Sequence, residues 1–152
     1  MEGVRAERVG DRLVLETGAV RREYLWNDGH LIGLSLEEAA TGYRWALAGD
    51  APDLSLPGEA EEGRGGALEV ADVPATPQEA AHTRAAVTCR LGDLEVRRVF
   101  RLYPGCPAIA CDVYLRGRPA AERWIERPQQ AGALGNIEDW RAVAYADLVA
   151  PV

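Results

Sequence analysis

The side chains that could perform acid–base chemistry are two histidines and a surplus of carboxylates. Hydrolysis of a glycosidic bond needs two carboxyl groups held at a fixed distance across the sugar. The acids that cluster most densely are Asp53, Glu59, Glu61 and Glu62. They lie in a segment rich in glycine and proline, which could not hold such a spacing. His30 lies near Asp28 and could act as a base, but a polar residue at a turn is the better interpretation. We therefore predict no catalytic residues.

The sequence also predicts no metal and no cofactor. The run Gly63-Arg64-Gly65-Gly66 is rich in glycine, but it does not follow a strand and open a helix, as a phosphate-binding loop does. The cysteines Cys89, Cys106 and Cys111 lack the spacing of metal ligands, and neither histidine has a CxxC partner. Cys89 and Cys111 fall inside predicted strands and are expected to be small core residues.

Tryptophan is frequent in this chain, at positions 26, 45, 124 and 140. A buried tryptophan fills a core, whereas an exposed indole can stack on the apolar face of a pyranose. Trp26 alternates with Val20 and Tyr24, so we expect it in the core. Trp45 lies beside the acidic segment and is the most plausible contact with a sugar or a partner. Trp45 and Asp53 are the candidate carbohydrate contacts.

Charge and hydropathy exclude several partners. The formal net charge is −7, which argues against nucleic acid and anionic membranes, since both attract a basic patch. The sequence has no apolar run near 18 residues, so no membrane span is predicted. The first residues, MEGVRAERVGDR, lack the apolar centre of a signal peptide, which predicts a cytoplasmic protein.

Alternation and turn residues predict an all-β chain. Gly92-Asp93 is a two-residue hairpin turn. The residue numbers of each facing pair in its two strands should therefore sum to 185, as those of Cys89 and Val96 do. Gly10-Asp11 predicts a second hairpin whose facing pairs sum to 21. In the Gly92-Asp93 hairpin Arg98 falls on the apolar face, and we expect a bulge at Arg97-Arg98 to turn its side chain away from that face.

Further strands are predicted at 19–26, 30–37, 43–47, 67–73 and in the stretch up to 115, and a weaker one at 121–127. The segment 48–66 is predicted to be a mobile surface loop, and Asn136 could cap a helix. Closely spaced strands with almost no helix predict one domain over residues 1–152, folded as an antiparallel β-sandwich.

Three stretches resemble the N-terminal β-sandwich of glycoside hydrolase family 36, the α-galactosidase-like enzymes. The first is GAVRREYLWNDGHLIGLSLEEAATGYRW, with its Arg21-Arg22 pair, its Asp28-Gly29 turn and its Thr41-Gly42…Trp45 ending. Thr17 stands where asparagine is usual in the family. The others are PDLSL at 52–56 and the run from Arg98 to Ile109. The resemblance covers about residues 12–115.

The resemblance implies a supersandwich, of the galactose mutarotase-like kind, placed before a (β/α)₈ barrel that carries the catalytic aspartates. No position here matches those aspartates, so it implies a noncatalytic and truncated N-terminal portion of a bacterial enzyme. Such a domain helps shape the sugar pocket and takes part in homo-oligomer contacts, so carbohydrate is the expected partner through the parent enzyme.

Three alternatives stay open. The chain could be a stand-alone carbohydrate-binding module, or a mutarotase-like enzyme. Such an enzyme typically uses a histidine with a glutamate as acid and base, and only His30 and His82 are available here. It could also be a purely structural domain whose uncovered sheet face pairs with a partner.

Overall fold

The computed structural model describes residues 3–47, 49–54, 56, 59 and 62–118. The strand predicted at 121–127 and the helix predicted from Asn136 lie outside the described residues, as do Trp124 and Trp140.

In the described part of the chain nine strands form two antiparallel sheets, which confirms the predicted antiparallel β-sandwich. The first sheet contains, in spatial order, β1 (Arg5–Val9), β2 (Arg12–Glu16), β3 (Val20–Leu25), β4 (Ile32–Glu38) and β5 (Arg44–Ala46). The second contains β6 (Arg64–Val73), β7 (His82–Leu91), β8 (Leu94–Leu102) and β9 (Ala110–Gly117). A single turn of 3₁₀ helix, Asn27–Gly29, joins β3 to β4.

Both predicted hairpins and their registers are confirmed. In β7–β8 Cys89 faces Val96 and Arg90 faces Glu95. Gly92 has a φ of +59°, whereas Asp93 has no positive φ, which fits the type II′ turn that matches the twist of the strands. In β1–β2 Arg5 faces Glu16 across the turn that begins at Gly10. A short glycine turn therefore fixes which face each residue of these strands occupies.

The predicted bulge at Arg97-Arg98 is wrong. The β7–β8 ladder runs without a shift from Thr83–Leu102 to Leu91–Leu94, and Arg98 stays opposite Val87 on the inner face. Only 8% of Arg98 is exposed. A guanidinium is tolerated there because a carboxylate pairs with it, as described below.

The core lies between the sheets. Its main cluster combines first-sheet and second-sheet residues with two residues outside the strands, Trp26 and Leu31: Leu13, Leu15, Tyr24, Trp26, Leu31, Ala85, Val87, Phe100 and Leu102. Trp26 is therefore a core residue, as predicted. Cys89 is also buried, and desolvation raises the pKa of its thiol to about 11. The prediction for Cys111 is wrong, because Cys111 is exposed on β9, an edge strand of the sheet.

The 3₁₀ turn packs directly against the start of the second sheet. β6 begins at Arg64, so the last residues of the segment predicted as a loop belong to a strand. The Gly66 N–H donates to Asp28 Oδ1 at 3.1 Å. A Cβ added at Gly66 would lie 2.3 Å from the carbonyl carbon of Asp28, so the two backbones can approach only at glycine.

This close approach makes Gly66 a sensitive position. We expect Gly66→Ala to lower the free energy of unfolding by about 3 kcal/mol, the upper end of overpacking costs, because backbone must move. The neighbouring Gly65 has a φ of +66° with open space around its Cβ position, so Gly65→Ala should cost only about 1 kcal/mol of backbone strain. Urea denaturation of both variants tests the contrast, and equal losses would contradict it.

Candidate functional site

The predicted contact residue Trp45 lies in an exposed apolar row on β5, an edge strand of the first sheet. Tyr43 is 58% exposed, Trp45 46% and Leu47 39%. The rings of Tyr43 and Trp45 meet edge to face, with centroids 4.6 Å apart. Alternation places the three residues on one face of the strand. We call this row the apolar edge.

The apolar edge continues the inner face of the first sheet. Trp45 pairs with Leu36 on β4, and Leu36 pairs with Arg22 on β3, so the three side chains share a face. Arg22 and Leu36 line a cavity of about 310 Å³ between the sheets. The lining residues on the other side of that cavity include Phe100, Ile109 and Cys111. Trp45 therefore extends the apolar interior outward to solvent.

The opposite face of β5 is charged and paired. Glu23 is only 6% exposed, and it accepts from Arg44 on β5 at 2.9 Å. It also forms ion pairs with Arg21 at 2.6 Å and with Arg12 at 3.4 Å. Charge-assisted hydrogen bonds of this kind are stronger than neutral ones. Of the three, the bond from Arg44 ties the three-residue strand β5 to β3 and so helps to hold the apolar edge in position.

The second candidate contact, Asp53, is engaged in a buried ion pair. Its two carboxylate oxygens accept from the two terminal nitrogens of Arg98, at 2.5 and 3.1 Å. The guanidinium also lies 5.0 Å from the ring centroid of Phe100. Burial alone lowers the pKa of Arg98, but the Asp53 carboxylate outweighs it and the pKa is raised.

This pair also anchors part of the acidic segment. The Asp53 N–H donates to the Leu31 carbonyl at 3.1 Å, and Pro52 bridges to Ile32. Sequence analysis missed the pair, although Arg98 on an apolar face was a signal that a carboxylate must come to it. The structure does not place Asp53 on the apolar edge with Trp45, since the carboxylate faces Arg98 on the other sheet.

The two histidines occupy separate structural positions. His30 is 4% exposed, and its Nε2 donates to the Leu54 carbonyl at 2.8 Å. His82 is 2% exposed, and its Nδ1 donates to the Ala80 carbonyl at 3.0 Å. His30 packs against Gly63, beside the Arg90 end of β7, whereas His82 begins that strand. The strand rise puts roughly 25 Å between the two ends.

Within residues 3–47, 49–54, 56, 59 and 62–118, no group of three or more His, Cys, Asp or Glu side chains could hold a metal ion. The same part of the chain contains no helix with the length and hydropathy needed to cross a membrane. Comparison of the chain with protein-family models, curated proteins and solved structures finds no match.

The Asp53–Arg98 pair should be important for stability. We expect Asp53→Ala to lower the free energy of unfolding by about 3 kcal/mol, because it leaves a buried guanidinium without its carboxylate. The double variant Asp53→Leu/Arg98→Met should recover most of the loss, since apolar residues of similar volume can replace a buried pair. Urea denaturation gives both values.

Glu69→Ala is the matched control. Glu69 is 78% exposed and lies 3.9 Å from Arg97, so its removal should change stability by less than about 0.5 kcal/mol. A loss for Asp53→Ala as small as that of Glu69→Ala would show that the buried pair contributes nothing.

Proposed function

We propose that this chain is a noncatalytic β-sandwich domain of an α-galactosidase-like glycoside hydrolase, and that it packs against the catalytic domain through the apolar edge. The observation that carries the proposal is the exposed row of Tyr43, Trp45 and Leu47, continuous with the interior of the sandwich. Aromatic residues are enriched in the buried centres of protein interfaces. The resemblance in sequence supplies the class of parent enzyme.

The surroundings of Trp45 favour a protein surface over a sugar platform. A sugar needs polar side chains beside the aromatic ring to bond its hydroxyl groups. The neighbours of Trp45 on its own face are Tyr43 and Leu36, and the Tyr43 ring already takes an edge-to-face position on the indole. The carboxylate of Asp53 is committed to Arg98. A second protein domain would remove these apolar side chains from water more completely than a sugar would.

Direct sugar contact at Trp45 is the second candidate function. The exposed indole favours it, because nearly half of the Trp45 surface is open to a ligand. In this case Tyr43 would complete the platform. The binding would require hydroxyl contacts from residues beyond the apolar edge.

A mutarotase-like activity is less well supported. That chemistry needs an acid and a base at one sugar ring. His30 and His82 lie at opposite ends of β7, and each is buried and bonded to a backbone carbonyl. Neither histidine ring is therefore exposed to act as an acid or a base on a sugar.

The proposal predicts a hot spot at Trp45. A separately produced catalytic domain of the parent enzyme should bind this chain, and Trp45→Ala should weaken the binding about thirtyfold or more, as loss of a central aromatic anchor does. Isothermal titration calorimetry measures the affinity. Tyr114→Ala, which removes an even more exposed aromatic ring from the other sheet, is the matched control and should leave binding unchanged.

The outcomes separate the candidates. Equal binding by the wild type and Trp45→Ala would refute the apolar edge as the interface. Quenching of Trp45 fluorescence by raffinose or galactose at millimolar concentration, lost in Trp45→Ala, would favour the sugar-contact function instead.

A further inference from the structure

The outer face of the second sheet carries a groove that Val73 and Val99 line among longer, mostly charged side chains. Cross-strand pairing places Ala86 beside Val99 at the centre of this face. Longer side chains stand around them, because Arg84 faces Arg101 on one side and Arg97 faces Tyr114 on the other. The groove encloses about 520 Å³. We call it the charged groove and define it by Arg84, Arg97, Arg101, Arg116, Asp112 and Tyr114.

The arginines of the groove are not all neutralised. Arg101 is paired with Asp112 at 2.9 Å. Among the described residues Arg97 pairs only with the mostly exposed Glu69, at 3.9 Å, and solvent weakens this pairing. Arg84 and Arg116 form no ion pair with any other described residue. Arg84 also lies directly opposite Arg101, and like charges in facing positions repel. An anionic ligand would relieve this repulsion.

One end of the groove is held in a fixed shape. The Tyr103 hydroxyl donates to Glu79 at 2.8 Å, and Glu79 lies 3.7 Å from Arg101. The buried ring of His82 packs on Tyr103 with centroids 5.0 Å apart. These contacts link the loop before β7 to β8 and to the turn that follows it. A ligand would therefore meet a wall that is already ordered, which lowers the entropic cost of binding.

Tyr114 adds an apolar surface at the other end. The side chain is 56% exposed, and the register sets it beside Arg97 on the neighbouring strand. An exposed aromatic ring offers a flat face to the C–H side of a pyranose, while guanidinium groups pair with carboxylates in a planar, two-bond geometry. A sugar that carries a carboxylate has both features.

We propose that the charged groove binds oligosaccharides that carry carboxylate groups, with a sugar ring on Tyr114 and carboxylates paired with Arg84 and Arg97. Asp112, Glu79 and Glu95 also line the groove and can accept hydrogen bonds from sugar hydroxyl groups. This site lies on the outer face of the second sheet, away from the apolar edge, and it does not rest on the function proposed above.

Calorimetry with the full chain tests the site. We expect tetragalacturonate to bind with an affinity that falls as salt is raised, and neutral galactotetraose to bind at least about tenfold more weakly. Arg84→Gln, Arg97→Gln and Tyr114→Ala should each weaken tetragalacturonate binding about tenfold. All three side chains are largely exposed, so thermal melting should confirm that the variants stay folded.

Two matched controls isolate the groove. Arg5→Gln removes the same charge from the first sheet, and Val9→Ala removes an exposed apolar side chain from it. Both should bind tetragalacturonate like the wild type. Because the groove and the apolar edge share no residue, failure of one proposal is distinguishable from failure of the other.

Each contrary result overturns the inference. Equal binding of galactotetraose would show that charge is not recognised. Tighter binding of a sulfated tetrasaccharide would show that the carboxylate is not the recognised group. Full competition by inorganic sulfate, with no effect of Tyr114→Ala, would show a simple anion site. A loss in Arg5→Gln as large as in Arg84→Gln would show nonspecific attraction.

Discussion

The interior of the sandwich can hold Arg98 only because Asp53 pairs with it. A guanidinium on the inner face of β8 would oppose folding if it had no partner, because desolvation of a charge costs far more than a single apolar contact returns. Asp53 removes that cost and draws the segment after β5 onto the second sheet. The same contact places the Arg98 guanidinium on Phe100, so the charge becomes part of the aromatic core.

The local parts of the fold follow from the sequence with little ambiguity. Gly92-Asp93 and Gly10-Asp11 each allow one short turn, and a two-residue loop sets the register of every pair behind it. The error at Arg98 came from the assumption that an apolar face excludes charge. Its partner is 45 residues away in the chain, so hairpin geometry alone could not supply the carboxylate. Cys111 was misplaced because alternation gives the face of a residue but not whether another layer covers it.

The two candidate surfaces also differ in how far the sequence predicts them. Trp45 could be singled out from its position, and Tyr43 and Leu47 were available from the period of two along β5. The charged groove could be predicted only in part. The Gly92-Asp93 turn already pairs Arg84 with Arg101, but no two-residue turn fixes the β8–β9 register that brings Tyr114 beside Arg97.

The two surfaces suit different kinds of partner for a physical reason. The apolar edge is a continuation of the interior, so contact with another protein removes apolar surface from water and leaves no charge unpaired. The charged groove would lose the hydration of four arginines under an apolar partner, and that loss would exceed the gain from covering Val73 and Val99. A ligand that brings its own carboxylates and hydroxyl groups replaces those water contacts. A face rich in arginine can thus bind an anionic ligand although the net charge of the protein is −7. The electrostatic field in a groove depends more on the side chains that line it than on the screened charges elsewhere on the protein.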